Sequence, residues 1–131
     1  MTKHVIDAYA WIEYLDGSDA GKKVASLIES DDEVYTCAIT LGEVISKVAR
    51  KGKDAKIAYD VLVSNSQMIA VDEELSLEAG LIHCEMRKKI KDFGLADAYI
   101  LAAARKFKSK IVTGDPHFQG IKEAIMISSS N

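Results

Sequence analysis

Proline, cysteine and long apolar runs are all scarce in this chain of 131 residues. A single proline and eight scattered glycines leave nothing that reads as a linker. No internal repeat or low-complexity stretch divides the chain, so residues 1–131 read as one domain. A chain of this length buries roughly two-thirds of its unfolded surface without disulfides. Cys37 and Cys84 show no C-x-x-C spacing and stand among apolar neighbours, which predicts two free, buried thiols suited to a reducing cytosol. The longest uninterrupted apolar run, Ala98 to Ala104, is far short of the ~20 residues a membrane helix needs. Asp7 and Glu13 break the first apolar stretch and no small-residue cleavage site follows, so a secretory leader is not expected. The expectation is a cytoplasmic protein with no membrane association.

What is present is ordinary in amount and uneven in placement. The chain is 48% hydrophobic and 28% charged, with a formal charge of −3 that does not advertise a nucleic-acid binder. Its cations nevertheless gather in three clusters: Lys47, Arg50, Lys51, Lys53 and Lys56; Arg87, Lys88, Lys89 and Lys91; and Arg105, Lys106, Lys108 and Lys110. Acids collect at Glu29 to Glu33 and Asp72 to Glu78. A basic cluster at a helix C-terminus complements the helix dipole, so each alone is explained as a solvated helix end. Three of them leave a polyanion surface open.

Lys3-His4-Val5-Ile6 reads as a buried strand that ends on Asp7, after which alternation is lost and a helix begins at Ala8. Trp11, Ile12 and Leu15 mark that short helix; Ser18 caps a second, with Val24, Leu27 and Ile28 inward. Val34 to Ala38 is the second strand, and Leu41, Val44, Ile45 and Val48 continue at helical spacing to Gly52. Asp54 opens a helix with Ile57, Ala58, Val61 and Leu62 inward, and Met68 to Val71 is a brief third strand. A long helix from Leu75 to Ile90 turns Leu77, Leu81, Ile82 and Met86 to the core. Gly94 precedes the alanine-rich helix Leu95 to Phe107. Lys110 to Thr113 and Ala124 to Ile127 are the last strands, and Ser128 to Asn131 a frayed tail. Strands separated by helices imply parallel pairing, hence an α/β fold: a three-layer α/β/α sandwich around a five-stranded parallel sheet.

Four carboxylates stand where that fold hosts ligands, beyond the carboxyl ends of the strands. Each has a structural explanation. Asp7 can cap the helix it precedes. Glu43 lies three residues after Thr40, at capping-box spacing. Asp97 falls in the first turn of a helix, and Asp115 in a Gly-Asp-Pro turn. Their common edge weakens those separate explanations. Two carboxylates 4 Å apart repel by roughly 4 kcal/mol at an effective dielectric near 20, and four together would consume much of a typical ~5–15 kcal/mol stability. Such a cluster persists by taking up protons or by binding a cation. With no His or Cys at zinc spacing, oxygen ligands point to Mg²⁺ or Mn²⁺, and such an ion suits phosphodiester hydrolysis.

Four blocks in order carry a resemblance: Val5-Ile6-Asp7-Ala8, Thr40-Leu41-Gly42-Glu43, Leu95-Ala96-Asp97-Ala98, and Ile111-Val112-Thr113-Gly114-Asp115-Pro116-His117-Phe118. Over nearly its whole length the chain resembles PIN-domain proteins of the VapC type, the toxin ribonucleases of type II toxin–antitoxin pairs. The resemblance implies sheet order 3-2-1-4-5. It makes Asp7, Glu43, Asp97 and Asp115 the acidic metal-site positions, and Thr113 and Thr40 the hydroxyl positions that accompany them. It implies Mg²⁺- or Mn²⁺-dependent cleavage of single-stranded or looped RNA by an activated water, a homodimer, and silencing by a VapB-like antitoxin. The chain departs from the pattern at Gly94, where many members carry Ser or Thr, and at His117, where some carry a further acid. A surface position is expected for His117, with contact to a metal-bound water as the alternative, and structural roles are expected for His4 and His83. Tyr9, Trp11 and Tyr14 are candidates for an exposed apolar contact near the site, although core packing is the commoner fate of such aromatics.

Other functions fit the same residues less well. A PIN-like module that binds RNA without cutting it has no reason to keep four mutually repelling acids. A phosphoacceptor signalling domain needs an adjacent acidic pair and a lysine after a late strand, whereas Asp7 follows Ile6 and Ile127 runs into serines. A haloacid-dehalogenase-like phosphatase would want an acid at Tyr9.

Overall fold

The computed structural model describes residues 2–128. Five strands, β1 (Lys3–Ile6), β2 (Glu33–Cys37), β3 (Gln67–Ile69), β4 (Lys110–Thr113) and β5 (Ala124–Met126), form one parallel sheet in the order β3-β2-β1-β4-β5. Six helices connect them: α1 (Ala8–Asp16), α2 (Asp19–Glu29), α3 (Ala38–Arg50), α4 (Ala55–Asn65), α5 (Glu73–Arg87) and α6 (Leu95–Phe107). None of these helices is long and apolar enough to cross a membrane.

Alternation along the central strands sorts their side chains into two cores. Val5, Tyr35, Cys37, Ile69 and Ile111 pack under α5 and α6, whereas Ile6, Val34 and Val112 pack under α1 to α4. Because neighbouring residues of a strand face opposite sides, Val5 and Ile6 serve different layers. Each fully buried side chain of this size contributes about 1.5–3 kcal/mol. The three-layer sandwich is as the sequence predicts, and the strand order is the one the resemblance implies.

Local sequence explains the junctions. Gly17, at φ 68°, closes α1 in the left-handed region, and Ser18 begins α2 by accepting from the Gly21 N–H at 3.0 Å. Gly21 is fixed by a close approach, since a Cβ there would overlap the Glu13 carbonyl. On the α1–α4 side, Trp11 donates to the Thr36 hydroxyl at 3.0 Å, Thr36 reaches Ser66 at 2.6 Å, and Ser66 donates to the Leu62 carbonyl at 2.7 Å. This chain satisfies polar groups that would otherwise be costly to bury.

Several expectations are corrected. Leu77 and Leu81 are 63% and 58% exposed, because α5 turns Leu75, Ala79, Ile82 and Met86 to the core at its own 3.6-residue period. Choosing the bulkiest residues rather than that period misplaces the stripe. Ile57 is likewise exposed while Ala58 and Leu62 are buried, and Cys84 is exposed, so only Cys37 is a buried thiol. Trp11 is fully buried and belongs to the core rather than to a contact surface. Thr40 is the third residue of α3, whose N-cap is Cys37, so Thr40 and Glu43 form no capping box. The frayed tail expected at the C-terminus falls, beyond Ser128, outside the described residues.

Candidate metal centre

Parallel strands place their C-terminal ends on one edge, and the helices that run back from that edge begin there. Asp7 follows β1 directly. Its backbone N–H continues the ladder to the Val112 carbonyl, and its Oδ1 accepts from the Ala10 N–H at 2.9 Å. It is therefore a helix cap, as its position suggests, but a cap only 5% exposed. Burial pushes its carboxyl up to about 7, and the charges of Asp115 and Asp97 push the same way. The Thr113 hydroxyl and the Ala10 N–H oppose that shift without cancelling it.

Thr113, fully buried at the end of β4, accepts from the Asp115 N–H at 2.9 Å. That bond ties the turn after β4 to the strand. Asp115 then caps the short 3-10 turn Pro116–Phe118 by accepting from the His117 N–H at 2.9 Å. Phe118 anchors the turn, with its ring 5.9 Å from Phe93 in an edge-to-face contact. Asp97 enters from α6, where its Oδ2 accepts from the Gly94 N–H at 3.3 Å. Glycine supplies no side-chain half to that capping box, yet the helix starts normally. Glu43 stands on α3, two turns in from β2.

The tightest grouping is Asp97, Asp115 and His117, which offer ligand atoms all within 4.8 Å of one another. His117 Nδ1 lies 3.4 Å from Asp97 Oδ2 and 3.4 Å from Asp115 Oδ1, and is buried with no hydrogen-bond partner. Asp7 and Glu43 are not part of that trio, but both feel the charges of Asp97 and Asp115. Partial burial, then Asp97 and Asp115, hold the Glu43 carboxyl above the usual range. Burial and Asp115 raise Asp97, against the pull of the Gly94 N–H and of His117. Among the described residues, no Lys or Arg forms an ion pair with any of the four acids. Carboxylate oxygens, an orphaned ring nitrogen and no balancing side-chain cation together fit a divalent metal ion.

Two features differ from the settings the residues favoured. His117, expected at the surface, stands between two of the acids; the signal was its place two residues after Asp115, just past Pro116, which curls the chain back. The Thr40 hydroxyl is buried and unpartnered rather than bonded in a cap. Tyr9 is 42% exposed, and its ring lies against Gly114 so closely that a Cβ at Gly114 would overlap it.

A five-stranded parallel sheet in the order β3-β2-β1-β4-β5 between two layers of helices defines the class of fold, and sequence comparison agrees. The model of the PIN domain family matches residues 4–124, and the chain belongs to that family. No curated protein matches the chain in sequence. Among solved structures, the chain is similar to VapBC2 from Rickettsia felis bound to a promoter DNA fragment: TM-score 0.75 at 17% identity, covering 95% of this chain and 97% of that one. It is similar to Mycobacterium tuberculosis VapC20, a Sarcin-Ricin loop cleaving toxin, with TM-score 0.74 at 18% identity over 92% and 95% of the two chains. DNA-bound VapBC from Salmonella typhimurium gives TM-score 0.74 at 21% identity over 98% and 100%.

Proposed function

We propose that the protein is a metal-dependent endoribonuclease, the toxin of a toxin–antitoxin pair, that hydrolyses phosphodiester bonds in RNA. What supports this reading is that Asp97 and Asp115 lie together beside His117 at the C-terminal edge of a PIN-domain sheet, that their charges reach Asp7 and Glu43, and that none of the four acids has a Lys or Arg partner among the described residues. Asp7, Glu43, Asp97 and Asp115 would hold the ion, Mg²⁺ or Mn²⁺, and His117 would add a nitrogen donor beside Asp97 and Asp115. When bound, such an ion polarises the phosphate, lowers the pKa of water and steadies the leaving oxygen. The protein's own part is placement. Thr113 orients the Asp115 turn, the Ala10 N–H fixes one oxygen of Asp7, and the Gly94 N–H fixes Asp97. Burial of Asp7 keeps competing water from its carboxylate. Fold likeness to VapBC proteins supports a VapB-like antitoxin as partner; the proposal also includes a homodimer and a cytoplasmic site of action.

The test compares wild type with Asp7→Asn on total RNA with Mn²⁺, with Mg²⁺ and with chelator, mapping the cleaved ends. Cleavage that needs the ion and falls at least about hundredfold in the variant agrees with the proposal. Equal cleavage by the purified variant removes Asp7 from the mechanism. Metal-independent binding with no cleavage by wild type would make the chain a non-catalytic RNA-binding module.

A further inference from the structure

A groove of 610 Å³ opens beside the acid cluster, between α1 and α3. Glu43 belongs to both. Beyond Glu43 the groove is lined by Ser46, Lys47 and Arg50 from α3, with Tyr9 on the α1 side. Residues 43, 47 and 50 are spaced four and three apart, so they share one helix face, about 6 and 10 Å beyond Glu43 along the axis. Neither Lys47 nor Arg50 is in an ion pair among the described residues. Arg50 Nε donates to the Ser46 carbonyl at 3.3 Å, which fixes the guanidinium stem on the helix. Lys53 and Lys56 of the same cluster are engaged by Asp16 and Asp60.

Tyr9 is the aromatic of this groove and it is held in place. Its ring rests on the Gly114 backbone, one residue before Asp115, and its hydroxyl accepts from Ser128 at 3.3 Å. An exposed ring seated between the acids and two free cations has the form of a stacking platform with phosphate contacts beyond it. A base on an aromatic face must be unstacked from its neighbours, which an A-form duplex does not allow.

We propose that this groove is the track for a single-stranded RNA segment, with one base stacked on Tyr9 and the adjoining phosphates on Lys47 and Arg50. The assignment rests on the nuclease reading of the neighbouring acids but concerns binding, so the two can fail separately. It also explains how a chain of net negative charge holds a polyanion: the acids face the ion, and the cations of α3 face the strand.

The experiment measures binding by fluorescence anisotropy in the Asp7→Asn background, using a short fluorescein-labelled RNA of mixed sequence, single-stranded or as the duplex, over a salt series. Replacing Lys47 and Arg50 by Gln should weaken single-strand binding and flatten the slope of log K against log salt by about 1.4, at roughly 0.7 for each phosphate no longer neutralised. Tyr9→Leu should weaken single-strand binding about tenfold with the slope unchanged, leave the duplex unaffected, and be matched to wild type by Tyr9→Phe. Thermal melts of each variant establish that it is folded, and Tyr9→Phe preserves the ring against Gly114. An unchanged slope in the double variant, or an equal loss on single strand and duplex with Tyr9→Leu, overturns the track. So does a double variant that binds RNA as before but no longer binds its co-expressed antitoxin, which would make the groove a protein-docking surface. Absence of ion-dependent cleavage by wild type, measured on unlabelled RNA, overturns the nuclease reading instead and leaves the binding result to stand or fall by itself.

Discussion

The two edges of the sheet treat acids in opposite ways. At the N-terminal edge, buried His4 meets Asp32 at 3.0 Å and Arg105 meets Glu123 at 3.1 Å. At the C-terminal edge, Asp7, Glu43, Asp97 and Asp115 gather without a Lys or Arg partner among the described residues, and three of them have raised pKa values. Acids at the first edge are matched locally and need nothing from outside. Those at the second repel one another, and burial adds to this at Asp7 above all and less at Glu43 and Asp97, so the folded chain without an ion carries a cost there. Stability and site chemistry are thus separated by the length of a strand.

Breaking that contrast at Asp7 gives the largest effect. A carboxyl raised to about 7 in the folded state, from 3.8, binds more protons folded than unfolded between those values. Stability of the ion-free protein therefore falls as pH rises from about 4 and levels off above about 7, by an amount on the order of 4 kcal/mol. Asp7→Asn should flatten this profile and be the more stable protein at pH 8, as measured by urea melts across pH in chelator. A profile identical to wild type would mean that the buried carboxyl is not the source.

The ion offers a second route. At a concentration hundredfold above Kd it adds about 2.7 kcal/mol, which is roughly 8 °C in Tm for a domain of this size. Mn²⁺ should raise the Tm of wild type and not of the double variant Asp7→Asn, Asp97→Asn; equal shifts would put the ion elsewhere. The smallest effect belongs to the other edge. Asp32→Ala removes one partly buried hydrogen bond, should cost about 1 kcal/mol, and should leave the Mn²⁺ shift intact. A variant that lost the Mn²⁺ response would show that the two edges are coupled.

Much of this is legible from local chemistry. Strand ends, the Ser18 and Asp54 caps and the break at Gly17 depend on residues a few positions apart, and each falls within a residue or two of its expected place. The errors come where volume competes with period. Leu77, Leu81 and Ile57 look like core residues for their size, although α4 and α5 turn smaller neighbours inward. Thr40 shows the same limit at the site. Its spacing from Glu43 suits a capping box, but α3 begins earlier, immediately after β2, and so carries Thr40 inside the helix. His117 escapes a local reading because its partner Asp97 is twenty residues away on another element, and no local pattern reports that distance.

By itself, the order of apolar and polar residues determined an alternating α/β chain with parallel strands, because strand and helix periods are local properties of the backbone. It also determined which acids follow strands or open helices. Only the tertiary structure decided that His117 stands between Asp97 and Asp115, that Tyr9 rests on Gly114 and that Tyr9 faces the Glu43–Lys47–Arg50 side of α3 across one groove. Those relations join residues far apart in the chain, and packing of whole layers, not sequence separation, sets the distance between them.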